Sequence, residues 1–235
     1  MEMKRVDSTN DFAREQAESG LGRHGDVFVT REQTAGRGQI GKSWQSEPGQ
    51  NLAMSILLEN RCLPDPTPFH LSACIAIASL DTLTPITQGD TAIKWPNDLY
   101  WNNRKLGGIL IETGSEWTVV GIGINVNQTQ FPESLMNPVS LKQITGKDQD
   151  PIAGARQIIH NLNQRLSDWS ENGFDPLFAT YQACLFGKDR NFSVRENGQE
   201  KQIRIEGVTP DGALCIEEAG KRRTVVSGIK WLINP

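Results

Sequence analysis

A basic surplus is missing from this chain. Its 24 lysines and arginines are outnumbered by 28 aspartates and glutamates, a formal net charge of −4. That excludes a protein whose surface is given over to nucleic acid, because phosphate binding draws on a basic face. One local basic loop is still compatible with it. Cysteine is scarce and dispersed: Cys62, Cys74, Cys184 and Cys215 form no C-x-x-C pair. Neither a structural metal site nor a disulfide framework is expected, and reduced cytoplasmic thiols are the simple reading. The start, MEMKRVDSTN, lacks a long apolar run. No segment is expected to reach the ~20 apolar residues of a membrane span. The three histidines, His24, His70 and His160, stand alone and read as surface or satisfied core residues. A soluble, cytoplasmic protein is the expectation, with no membrane and no nucleic acid among its partners.

What is present is 235 residues with a dense run of chemistry at Gln33 to Trp44, QTAGRGQIGKSW. Gly36, Gly38 and Gly41 match G-x-G-x-x-G, and Gly36 followed by Gly41, Lys42 and Ser43 matches the phosphate-binding P-loop. Both motifs work by seating phosphate on a helix N-terminus. Pro48-Gly49, five residues on, makes a helix there improbable, so both readings fall. What remains is a glycine-rich cationic loop after a short strand, Val27 to Thr30, with Arg37 and Lys42 open to an anionic ligand.

Ahead of that loop, Asp7-Ser8-Thr9-Asn10-Asp11 opens a helix-like stretch to Ser19, closed by Gly20 and Gly22. Ser8 with Asp11 fits a capping box, and the same hydroxyl and amide side chains suit a polar pocket. Behind it, Asn51 to Glu59 reads as a buried strand and Pro66 to Leu83 as a nearly all-apolar core helix. Ile93 to Glu112, IKWPNDLYWNNRKLGGILIE, reads as a short strand, a turn at Pro96-Asn97 and a hairpin around Asn102-Asn103. Lys105 alone would be a solvated cation, but Gly107-Gly108 in an apolar strand permits close approach of backbone or ligand. Trp117 to Val126 is a buried strand in which Gly121 and Gly123 leave one face bare for a flat ligand or a packed helix. Asn125 at its end is a candidate contact for phosphate or a metal-bound water. Helices follow from Asp150-Pro151 to Asn172-Gly173 and from Asp175-Pro176 to about Phe186. From Gly187 the texture changes to short strands separated by turns, the pattern of a small β-barrel. The expected division is 1–186, a mixed α/β body, and 187–235, an all-β unit.

The polar candidates, Ser8 to Asn10, Gln33 to Lys42, Asn97, Lys105 and Asn125, all fall at strand ends or helix starts. No Ser/His/Asp set, Cys/His pair or close carboxylate pair accompanies them, which gives acid–base or covalent hydrolysis little support. Cations, amides and bare glycine backbone suit charge stabilisation in nucleotidyl transfer.

The motifs GRG-x-x-G-x-x-W at Gly36 to Trp44, KWPND at Lys94 to Asp98, KLGGILIE at Lys105 to Glu112 and GIGINV at Gly121 to Val126, with DSTN ahead, together resemble biotin protein ligase over the whole chain. The resemblance implies an α+β fold: a mixed β-sheet with flanking helices, related to class II aminoacyl-tRNA synthetases, and a C-terminal SH3-like barrel. It implies ATP, Mg²⁺ and biotin, with biotinyl-5′-AMP formed first and a lysine of the biotin carboxyl carrier protein of acetyl-CoA carboxylase acylated second. Biotin contacts would come from Ser8, Thr9, Asn10, Gln33, Gly38, Gln39, Lys105, Gly108 and Gly121. Adenylate contacts would come from Arg37, Gly38, Gln39, Trp44, Asn97, Lys105 and Asn125, with Trp44 against adenine once the loop orders. Lys105 and Arg37 would be the catalytic cations, and magnesium would be held through the ATP phosphates. Gln39 and Ile40 depart from the family by occupying positions that are often basic. The chain starts six residues before Asp7, so a DNA-binding domain and a repressor role are not expected. Monomer and homodimer both fit the resemblance. The readings weighed against it are a lipoate ligase or octanoyl transferase, a non-catalytic biotin or carrier-binding module, and a P-loop phosphotransferase.

Overall fold

The computed structural model describes residues 1–39, 41–65 and 67–232. Ile40, the helix start read at Pro66 and the strand end read at Ile233 lie outside the described residues. Seven strands form the main sheet: β1 (Glu2–Met3), β2 (Asp26–Thr30), β3 (Leu52–Glu59), β4 (Thr91–Lys94), β5 (Asp98–Trp101), β6 (Arg104–Thr113) and β7 (Trp117–Ile124), in the order β1-β2-β3-β7-β6-β5-β4. Only β1 runs parallel to its neighbour; the other pairs are antiparallel. The β5–β6 hairpin turns at Asn102, whose φ of 50° supplies the left-handed residue that such a turn requires.

Side-chain alternation sends the two faces of this sheet to different partners. Leu52, Met54, Ile56 and Leu58 of β3, with Val120, Ile122 and Ile124 of β7, join the large core under α2 (Pro68–Thr87) and α4 (Pro151–Asn172). On the other face Leu57 and Val119 pack with Ala13 and Phe28 beneath α1 (Thr9–Glu18). A sheet covered on both sides accounts for the unbroken apolar run of β3.

Two expectations need correction here. The helix α2 is 20 residues long and apolar enough to cross a membrane by length and composition, so such a segment does exist. Twelve of its residues are buried within the protein, which makes it a core helix of this fold. It also runs past Leu83 through Pro85, because a proline in the last turn removes little of the hydrogen-bond ladder. The second correction concerns α5 (Asp175–Ala183), which stops short of Phe186. The outer edge of β4 has backbone groups to satisfy, and residues 184–186 supply them: Ile93 N–H donates to Cys184 O at 2.8 Å and Phe186 N–H to Ile93 O at 2.9 Å.

A short helix, α3 (Leu141–Thr145), carries a full capping box from Ser140 and Gln143. Past it and the long helices, five antiparallel strands, β8 (Asn191–Glu196), β9 (Gln199–Val208), β10 (Leu214–Glu218), β11 (Lys221–Val225) and β12 (Ile229–Trp231), form a barrel-like unit. The last strand returns to pair with β8. Its turn at residues 209–213 leans on the main body: Trp95 Nε1 donates to Gly212 O at 2.9 Å, and His70 Nε2 meets Pro210 O at 3.1 Å. His70 also meets Asp65 through Nδ1 and stacks on Phe174, so it is a satisfied interface histidine.

Candidate active site

The site lies on the sheet face that α2 does not cover. Ser8 caps α1 by accepting from Asp11 N–H, which fixes the entry of the chain and places Thr9 and Asn10 over β3 and β7. Ser55 is the one hydroxyl inside the apolar run of β3 and is fully buried. Its Oγ lies 2.7 Å from Thr9 Oγ1 and 2.6 Å from Asn10 Oδ1. Gln33, just past β2, accepts from Thr9 N–H at 2.8 Å and from Thr9 Oγ1 at 3.2 Å. Asn10 Nδ2 donates to Glu112 Oε2 at 2.8 Å, closing a polar wall built from four separate segments.

That wall needs a strand without side chains beneath it. A Cβ added at Gly121 would stand 2.3 Å from Asn10 Oδ1, and one at Gly123 would stand 2.6 Å from the Trp44 ring. The bare face of β7 is therefore covered by an amide and an indole, an arrangement between the ligand and the helix that glycine spacing left open. Trp44 Nε1 is buried with no hydrogen-bond partner among the described residues, and the ring rests against Gly123 of the sheet. The loop that carries it is hairpin-like: Trp44 N–H donates to Gly36 O at 2.8 Å and Gly38 N–H to Lys42 O at 2.7 Å. No helix follows it before β3, as the Pro48-Gly49 pair requires. Two cavities, of about 550 and 410 Å³, lie on the other face of the sheet, among residues of α2 and α4.

Charge is arranged in two groups. At one rim Arg37 Nη1 donates to Asp11 Oδ1 at 2.6 Å and Nη2 to Glu112 Oε1 at 2.7 Å, and the hydrogen bond to Asp11 raises the guanidinium pKa further. At the other, Lys105 Nζ lies 2.5 Å from Asp98 Oδ1, with Lys94 Nζ 3.9 Å from Asp98 Oδ2. Asp98 and Gly108 are paired across β5 and β6, and Gly108 pairs with Gly123 on β7. Lys105 Nζ would be 3.5 Å from a Cβ at Gly108, so the bare glycine leaves room for the ammonium beside the sheet.

The two asparagines are committed to the backbone through their donors. Asn97 Nδ2 bonds Ile109 O, and Asn125 Nδ2 reaches Val139 O at 3.1 Å and Lys105 O at 3.3 Å. Each fastens a segment next to Lys105 and keeps Oδ1 as an acceptor. Gln39 offers its backbone carbonyl to Lys42 N–H at 3.1 Å, and its side chain makes no hydrogen bond among the described residues. Cys74 sits in α2 on the far side of the sheet, where burial pushes its thiol up to about 12, out of the range of a useful nucleophile.

Sequence reasoning missed Ser55, Asp11 and Glu112, and quoted Lys94 and Asp98 only as part of a motif. A lone serine in an unbroken apolar run was a usable signal, since a buried hydroxyl demands partners. Lys94 is the costly residue. Its side chain is 12 % exposed, with the ammonium 5.3 Å from the Tyr100 ring and 5.1 Å from the Trp231 ring. Burial first of all, then the positive charges of Lys105 and Lys42, lower its pKa from 10.5 to about 8, against the pull of Asp98. The unfolded chain then holds this proton more tightly than the folded one. Below about pH 8 the full penalty is present, and stability rises as pH climbs from there toward 10.5. Lys94→Met should accordingly raise the melting temperature near neutral pH by about 2–4 °C, the shift expected for roughly 1 kcal/mol in a chain of this size. Calorimetry at neutral and alkaline pH checks it, and a lower melting temperature would mean that the ring contacts outweigh burial.

Comparison with known proteins bears on the family and the fold. Residues 2–128 match the biotin/lipoate A/B protein ligase family. The bifunctional ligase/repressor BirA of Bacillus subtilis is 30% identical over 220 residues, covering 90% of this chain and 67% of that protein. The biotin–[acetyl-CoA-carboxylase] ligase of Mycobacterium tuberculosis is 29% identical over 226 residues, covering 94% and 84%. Among solved structures, the biotin protein ligase of Aquifex aeolicus in complex with biotin and ATP superposes with a TM-score of 0.87 at 25% identity, over 100% of this chain and 98% of that one. On the extent of these matches, the chain belongs to the biotin/lipoate A/B protein ligase family.

Proposed function

We propose that the protein is an ATP-dependent biotin protein ligase that joins biotin to AMP and then passes the biotinyl group to a lysine of the carrier protein of acetyl-CoA carboxylase. The observation that carries this reading is the polar wall of Thr9, Asn10, Gln33 and Ser55 standing between two cations, Arg37 and Lys105, over a strip of glycine. Hydroxyls and amides that already bond one another are suited to the ureido ring of biotin, and the glycines Gly108 and Gly121 to its flat bicycle. Ser8 sets the geometry of that wall, and Gly38 and Gln39 of the loop complete the proposed biotin contacts.

In the first step a biotin carboxylate oxygen attacks the α-phosphorus of ATP, and pyrophosphate leaves with the bond it held. Lys105 is the residue to hold the carboxylate and the α-phosphate together, where negative charge concentrates in the transition state. Arg37 holds the adenylate from the loop side. Trp44 lies ready to exchange its contact with Gly123 for the adenine ring, and Asn97 and Asn125 offer their Oδ1 atoms on the nucleotide side. In the second step the acceptor lysine attacks the acyl carbon and AMP leaves.

Magnesium belongs to the proposal as an ion carried by the phosphates. Among the described residues no group of three or more His, Cys, Asp or Glu side chains forms a metal cluster, and Asp98 is held by Lys105. The donor set therefore fits a metal bound through its nucleotide, whose chemistry is to neutralise phosphate charge. A catalytic body over 1–186, a barrel over 187–235, a cytoplasmic location and independence from nucleic acid complete the reading. Sedimentation would report whether the protein is a monomer or a homodimer.

Exchange of labelled pyrophosphate into ATP tests it. Exchange is expected with biotin and absent with lipoate or octanoate; no exchange with biotin from folded protein and Mg²⁺ would overturn the adenylation reading. Gln39 adds a second expectation. Its uncharged amide makes no charge-assisted bond to phosphate, so Gln39→Arg should slow release of biotinyl-5′-AMP by about tenfold. Equal dissociation rates in a filter-binding chase would refute it.

A further inference from the structure

Arg37 is doubly engaged before any ligand arrives. The loop that bears it bonds largely to itself, yet this one guanidinium spans to α1 through Asp11 and to the end of β6 through Glu112, at 2.6 and 2.7 Å. Arg14, one turn along α1 from Asp11, shares both acids: its Nη2 meets Asp11 Oδ1 and its Nη1 lies 3.7 Å from Glu112 Oε1. Two arginines and two carboxylates thus make an electrically balanced square. Glu112 is also the acceptor for Asn10 Nδ2, which ties the square to the wall of the site.

We propose that Asp11, Glu112 and Arg14 are positioning residues of an exchangeable latch. Asp11 and Glu112 hold Arg37, and so the glycine-rich loop, across the site; an adenylate phosphate then takes Arg37 from them. The second half rests on the reading of Arg37 as an adenylate contact. Two features of the geometry point this way. All four side chains are between a quarter and a half exposed, so water screens the pairs and an incoming phosphate can compete with them. Arg14 does not lie on the loop, so when Arg37 leaves, the two carboxylates keep a cation and are not left to repel each other.

Limited digestion with trypsin reads the latch directly, because the protease must accept the Arg37 side chain in its acidic specificity pocket and an ion-paired guanidinium is withheld from it. Cleavage after Arg37 is followed by mass spectrometry relative to cleavage after the exposed Lys147. In ligand-free protein, Asp11→Asn should speed the Arg37 cut about tenfold with an unchanged melting temperature, as expected when exposed ion pairs holding a loop are removed. Asp11→Glu should restore protection. Rising salt should speed the same cut in the unaltered protein, a measurement that needs no variant. Addition of biotin and ATP should protect Asp11→Asn again, since phosphate replaces the carboxylates. Equal cleavage of Asp11→Asn and the unaltered protein, with no salt effect, would overturn the latch. Faster cleavage that biotin and ATP do not reverse would leave the latch standing and remove the transfer to phosphate.

Discussion

Lys105→Ala should lower biotin-dependent pyrophosphate exchange by about 100- to 1,000-fold, the loss typical of removing one group aimed at charge that develops in the transition state. Lys105 is held in place by its own neighbours. Its side chain is 33% exposed and its ammonium is held 2.5 Å from Asp98 Oδ1, so it is positioned beside Gly108 without being sealed in. Its backbone is separately secured: Lys105 N–H donates to Asn137 O at 2.7 Å, and Lys105 O accepts from Val139 N–H at 2.9 Å. Removing the side chain therefore leaves the strand and its crossing segment in place. Asp98 loses its near partner and keeps Lys94 at 3.9 Å, so the carboxylate turns from a tether into a less fully balanced negative charge near the reacting phosphate. Both effects act on the transition state, and kcat should fall further than KM for either substrate rises. Lys105→Arg should recover only part of the activity, because a planar guanidinium cannot stand where a compact ammonium fits beside Gly108. Exchange within about threefold of the unaltered enzyme would remove Lys105 from the chemistry.

Much of the fold was readable because its signals are local. The unbroken run of β3, the Asp-Pro start of α4 and the Asn102-Asn103 turn each depend on a few adjacent residues whose preferences agree with their final environment. What was misread depends on distant partners. The end of α5 is set by the open edge of β4, some ninety positions earlier in the chain. The two-residue β1 exists because β2 offers it an edge, and nothing within Glu2–Met3 announces it. The site divides the same way. Gln33, Arg37, Lys105 and the glycines were noticed as site residues in dense motifs; the carboxylates that hold the two cations were not, although Asp98 and Glu112 end two of those same motifs. Asp11 looks like a helix-capping acid and Glu112 like the polar end of a strand. Only the fold brings Asn10 to Glu112, 102 residues apart, and Arg37 to the same carboxylate, 75 residues apart.

The glycine at 121 is where packing and chemistry meet, and Gly121→Ala should reduce kcat/KM for biotin by about 100-fold while leaving the melting temperature within a few degrees. The added methyl carbon would lie 2.3 Å from Asn10 Oδ1 and 3.0 Å from Cγ, so the amide must retreat by about 1 Å to reach an ordinary contact. In many places a side-chain tip would simply rotate away. Here Ser55 holds Oδ1 at 2.6 Å and Glu112 holds Nδ2 at 2.8 Å, so retreat breaks one bond or moves the other residues with it. Ser55 in turn bonds Thr9, and Thr9 bonds Gln33; the displacement reaches every member of the wall, and through Glu112 it reaches Arg37. Stability changes little because alanine suits a strand better than glycine does, which offsets the strained contact. Gly154→Ala is the control, since its Cβ meets nothing within 4 Å where α4 borders the cavity on the far face of the sheet. That change should stabilise the helix by about 0.5–1 kcal/mol and leave biotin binding untouched. Titration calorimetry with biotin on both variants separates the cases. Unaltered affinity and turnover in Gly121→Ala would show that the wall of Thr9, Asn10, Gln33 and Ser55 is a structural network that biotin does not use.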